Sequence, residues 1–110
     1  MEKLMQEVAC SILKEYDRAS EEYGPIHNSD HEAYAVLLEE LEEAKDDVRF
    51  CSSAMESLWS AVKYKHCIDS VKIEKLKLVH ECAMLGACEL IQTAAMAHKA
   101  IRTIEERGKN

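Results

Sequence analysis

Six acidic residues fall within nine positions: Glu39, Glu40, Glu42, Glu43, Asp46 and Asp47. At about 100° per residue in a helix, Glu39, Glu42 and Asp46 point away from the apolar stripe of Leu37, Leu41, Ala44 and Val48. They read as solvated charges. Glu40, Glu43 and Asp47 instead share one border of that stripe, spaced i, i+3, i+7. Like charges one turn apart repel. A divalent cation relieves that repulsion, and Mg²⁺ prefers oxygen ligands.

A second polar feature interrupts an apolar stretch. Residues 82–97 are small or apolar on nearly every side, and only Glu89 and Gln92 are long and polar. They are three apart, so they share a face. A carboxylate among apolar neighbours is costly without a partner or a metal. Small residues nearby, including Ala83, Gly86, Ala87, Ala94 and Ala95, let another helix approach closely.

Helices must position these groups. Three glycines and one proline in 110 residues leave few turns, which favours an all-α fold of a few long helices. Leu4, Val8, Ile12, Tyr16, Ala19 and Tyr23 predict an amphipathic helix over 2–23. Gly24-Pro25 ends it. Ser29, three residues before Glu32, reads as a capping box and starts a second helix near Asp30. No glycine or proline interrupts residues 30–85. The apolar pattern weakens over 63–70, where Asp69 or Ser70 caps a third helix running from about Val71 to Glu106. A break near 46–53 lacks a strong breaker. The expectation is a single domain over 1–110: a long antiparallel hairpin turning near 66–70, plus the N-terminal helix. Oligomerisation to a dimer or tetramer completes the bundle.

In an antiparallel hairpin, residues equidistant from the turn face each other. The point midway between the Glu40–Glu43 and Glu89–Gln92 pairs is residue 66, inside the expected turn. Glu40, Glu43, Glu89 and Gln92 should therefore converge into an oxygen-rich cluster suited to Mg²⁺ or Mn²⁺, with Asp47 one turn beyond.

These residues resemble the MazG-like branch of the all-α nucleoside triphosphate pyrophosphohydrolases, particularly small phage-type members. The likeness rests on two segments, 27–43 and 87–101. The family pattern is Glu-Glu-x-x-Glu on one helix and Glu-x-x-Asp on the next. Glu39-Glu40-Leu41-Glu42-Glu43 matches the first, and Glu89-Leu90-Ile91-Gln92 matches the second except at its last position. The resemblance implies Mg²⁺-dependent cleavage of a nucleoside triphosphate to a monophosphate and pyrophosphate. It implies Glu40, Glu43 and Glu89 as metal ligands, and Glu39 as a group that either supports those ligands from behind or helps position water. Two departures stand out. Gln92 replaces an aspartate, and 45 residues separate Glu43 from Glu89, more than is usual. The neutral amide keeps two alternatives open: a protein that binds a nucleotide-like ligand without cutting it, or a helical interaction module.

Among the remaining candidates, Lys99 lies two turns beyond Gln92 and suits a phosphate contact. The lysines at 63, 65, 72, 75 and 77 surround the turn, about 35 Å from the cluster at 1.5 Å per residue. Tyr34 and Trp59 read as packing residues. His31 reads as a first-turn surface residue, and His80 and His98 as satisfied partners. Five cysteines read as buried, reduced thiols of a cytoplasmic protein; a zinc site from His66, Cys67, His80 and Cys82 fits no common spacing. A net charge of −7 disfavours nucleic acid. No run of about 18 apolar residues predicts a membrane span.

Overall fold

A computed structural model describes residues 1–109 and contains three helices: α1 (Glu2–Tyr23), α2 (Asp30–Lys63) and α3 (Asp69–Arg107). The expected all-α class and all three helices are found. No break occurs in α2. No helix is long and apolar enough to cross a membrane.

The helix ends follow from local chemistry. Gly24 takes φ 91°, a conformation only glycine adopts readily, and its N–H donates to Ser20 O at 2.9 Å. Pro25 prevents continuation. At the start of α2, Ser29 Oγ accepts from the Glu32 amide at 3.1 Å. Only this half of the capping box forms, because Glu32 turns its carboxylate to the Asn28 amide at 2.9 Å.

The chain divides into two compact units. In the first (1–41 and 89–109), α1 packs with the start of α2 and the end of α3. Arg107 grips Asp30 with two hydrogen bonds of 3.0 and 2.9 Å, joining the last turn of α3 to the first of α2. The His27 amide donates to Thr103 Oγ1 at 2.9 Å, and Thr103 in turn donates to Lys99 O at 2.8 Å. Tyr16 donates to Pro25 O at 3.0 Å and meets the His98 ring edge-on at 4.6 Å. The α1 stripe is not buried along its whole length: Leu4, Val8 and Tyr23 are exposed, Ile12 and Tyr16 half-buried, Ala19 buried.

The second unit (42–88) is the remainder of α2 and α3, joined through 64–68. Its buried residues are small: Ala44, Ala54, Ala61 and Gly86. Gly86 lies so close to α2 that an added Cβ would stand 3.5 Å from Asp47 Cβ.

The inner face of α2 is a 3–4 repeat. It runs Ala33, Leu37, Glu40, Ala44, Asp47, Cys51, Ala54, Leu58, Ala61, and every member is buried or half-buried. Acidic side chains thus occupy positions that apolar residues fill in a coiled coil. The expected stripe splits, because Leu41 and Val48 fall on the exposed neighbouring face together with Tyr34, Met55, Trp59 and Val62. Tyr34 and Trp59, read as packing residues, are 67% and 60% exposed. The thiols also depart from expectation: all five are free, none is buried, and Cys10 and Cys88 are exposed.

Candidate metal centre

Glu40 and Glu89 approach one another in the first unit, and Glu43 follows one turn along α2. One carboxylate oxygen from each lies within 4.8 Å of the other two. Glu40 and Glu89 are half-buried and Glu43 is exposed. The trio is the one converging group of three or more metal-capable side chains among the described residues. His66, Cys67, His80 and Cys82 form no such group there.

Gln92 belongs to the cluster. With its amide oriented to satisfy both ends, Nε2 donates to Glu40 Oε2 and Glu89 Oε2, each at 3.1 Å. In this orientation the amide N–H groups meet acceptors rather than other donors. The neutral donor thus supplies part of what a cation would. As the oxygen ligand that the sequence pattern assigns, Gln92 would have to turn over. An aspartate in its place would add a fourth carboxylate and no donor.

The other expected site residues are placed differently. Glu39 is exposed and outside the trio. Asp47 is half-buried one turn beyond Glu43, beside Gly86, and also outside it. Lys99 is buried and lines a cavity of about 500 Å³ in the first unit, together with Glu40 and Gln92. Across that cavity Arg18 binds Glu15 at 2.6 Å and Glu22 at 3.2 Å. The Arg18 guanidinium holds the Glu15 carboxyl below the usual carboxylate range.

One residue escaped the sequence reading. His27 lies in the Gly-Pro-Ile-His-Asn-Ser loop, yet it is buried with its ring against the same cavity. Its signal is indirect. An imidazole between Ile26 and the cap at Ser29 is close enough to the helix entry to be drawn inward.

The donor set fits a hard divalent cation. All three groups offer oxygen, and Mg²⁺ and Mn²⁺ take oxygen in octahedral geometry. Octahedral ligands at about 2.1 Å from Mg²⁺ stand at most about 4.2 Å apart, so the 4.8 Å limit leaves only a small contraction.

The chain has no match among known protein families, curated proteins or solved structures.

Proposed function

We propose that this chain is a metal-dependent nucleotide hydrolase of the all-α nucleoside triphosphate pyrophosphohydrolase kind, producing a nucleoside monophosphate and pyrophosphate. The observation that carries the reading is the convergence of Glu40, Glu43 and Glu89 opposite Gln92, in the order of the family pattern that residues 39–43 and 89–92 resemble. In the reaction, a water oxygen bonds to the α-phosphorus and the bond to the bridging oxygen breaks. Pyrophosphate leaves, and the water proton passes to a carboxylate or to solvent. Bound at the trio, Mg²⁺ or Mn²⁺ would act as a Lewis acid and offset phosphate charge. Glu40, Glu43 and Glu89 would supply its oxygen ligands. Gln92 fixes two of those carboxylates before any ligand arrives, so less order remains to be imposed on binding.

A second reading keeps the site and removes the chemistry: the pocket holds a nucleotide without cutting it. The neutral Gln92 amide favours it, because the site carries one negative charge fewer than the family pattern. A hydrolysis panel separates the two. Purified chain meets ribo- and deoxyribonucleoside triphosphates with Mg²⁺ or Mn²⁺, and anion exchange resolves the products. The reading requires monophosphate and pyrophosphate, lost in Glu40→Ala/Glu43→Ala. No turnover with any nucleotide rejects the enzyme and leaves the binding protein, tested by metal-dependent nucleotide binding.

The reading includes a homo-oligomer. On α3 a 3–4 repeat of apolar residues runs Ile73, Leu76, His80, Ala83, Ala87, Leu90, Ala94, Ala97, Ile101, Ile104, interrupted only by His80. Ile73, Leu76, Leu90, Ile101 and Ile104 are exposed. On α2, Leu41, Val48, Met55 and Val62 repeat every seven residues and are also exposed. A repeat of 3.5 residues is the seam of a left-handed coiled coil, and apolar seams of this length are covered in stable proteins. A second copy offers the same repeat in return. The five free thiols suit a reducing, cytoplasmic setting.

A further inference from the structure

The cavity beside the carboxylates is lined by two donor side chains that make no hydrogen bond among the described residues. Lys99 is 6% exposed. Its ammonium makes no hydrogen bond or ion pair among the described residues. The His27 side chain is 1% exposed, and neither ring nitrogen has a hydrogen-bond partner. Glu32 Oε1 stands 3.8 Å from Nδ1, beyond hydrogen-bond reach. Burying an imidazole without a partner is unfavourable, and the Lys99 ammonium opens on the same space of about 500 Å³.

The acidic side chains of that cavity are engaged elsewhere. Glu15 is bound by Arg18 at 2.6 Å. Glu32 accepts from Asn28 at 2.9 Å. Glu40 accepts from Gln92 at 3.1 Å. Each carboxylate that lines the cavity thus already has a partner other than Lys99 or His27 within hydrogen-bond reach, and these two donors are free to take an anion from outside.

We propose that Lys99 and His27 form a subsite for a phosphoryl oxyanion on the α1 side of the carboxylate trio. The choice of a phosphoryl group rests on the nucleotide reading above, and the subsite deepens it. A phosphoryl group accepts from two donors at once, and its remaining oxygens are hard ligands of the kind Mg²⁺ takes. Cation and oxyanion binding are then coupled. Each neutralises charge that opposes the other, and the coupling is reciprocal.

The test uses the full chain with inorganic phosphate and pyrophosphate, followed by thermal shift and calorimetric titration, in EDTA and separately with phosphate plus Mg²⁺. Acetate at matched ionic strength is the control. The variants are Lys99→Met, which keeps the apolar stem, and His27→Gln. The natural chain should bind the phosphoryl anions and not acetate, more tightly with Mg²⁺. Lys99→Met should weaken that binding at least tenfold while its own melting temperature stays level, because the ammonium makes no hydrogen bond or ion pair to lose and the apolar stem is kept. Should His27→Gln fail to fold, Lys99→Met decides alone. Equal anion binding by Lys99→Met and the natural chain, or no anion binding in either condition, overturns the subsite. The readout contains no turnover. A silent hydrolysis panel with Lys99-dependent anion binding removes only the enzyme; turnover with Lys99-independent anion binding removes only the subsite.

Discussion

Gln92 reaches from α3 to Glu40 on α2 with a 3.1 Å hydrogen bond, and the same nitrogen serves Glu89. One neutral amide thus bridges two half-buried carboxylates. Replacing it by leucine leaves both acceptors without that donor, at a cost of about 1–3 kcal/mol. Gln92→Leu should unfold at correspondingly lower urea in EDTA, and Mg²⁺ should recover part of the loss.

Gln92→Asp tests the same spot from the other side. It removes the donor and adds a charge, so the metal-free protein should lose stability while Mg²⁺ raises its melting temperature more than that of the natural chain, since a ligand that binds only the folded state stabilises it. If the enzyme reading holds, turnover should rise as well. An unchanged Mg²⁺ response would argue against a cation at this cluster.

Glu40→Gln should behave oppositely. Glu40 and Glu43 are like charges one turn apart, a spacing that costs a helix about 0.2–0.5 kcal/mol. The variant should match or slightly exceed natural stability in EDTA and lose the Mg²⁺-induced shift in differential scanning fluorimetry.

The Asp30–Arg107 pair predicts an acid response. The Arg107 guanidinium holds the Asp30 carboxyl below its ordinary value of 3.8. A depressed folded-state value means that the contribution is complete above the unfolded-state value and fades as pH falls through the folded one. Asp30→Asn should therefore be less stable than the natural chain near neutrality, and the two denaturation midpoints should converge in acid.

Gly86→Ala should stabilise. The added Cβ would meet Asp47 Cβ at 3.5 Å, an ordinary contact, while glycine within a helix costs about 0.5–1 kcal/mol relative to alanine. Chemical denaturation should show a gain of that order. The exposed α3 seam gives the opposite kind of test. Leu90→Glu should shift gel filtration with light scattering toward a 12.5 kDa species.

Much of this was legible in the residues. Gly24-Pro25 and Ser29 placed the ends of α1 and α2, because glycine and proline geometry and a capping hydroxyl act locally. The approach of Glu40, Glu89 and Gln92 was expected from numbering alone, on the assumption of a turn near 66. Burial was less legible. Leu41 and Asp47 sit on adjacent faces of one helix, and period 3.6 alone does not say which face the protomer keeps inside. Here the small and acidic face is inside and the larger apolar one outside, so Trp59 and Tyr34 are exposed where packing was expected. His27 was hidden because its burial depends on Thr103, 76 residues away.

That same bond sets an order of events during synthesis. The loop at residue 27 is docked by Thr103, and its cavity needs Gln92 and Lys99. A nascent chain that has exposed α1, the loop and the acidic turn of α2 still lacks every partner on α3. Such distant pairings close late, after the loop entropy has been met. Glu40 and Glu43 therefore face solvent until α3 has been made, and a chain cut short before residue 89 would present them without either Glu89 or Gln92.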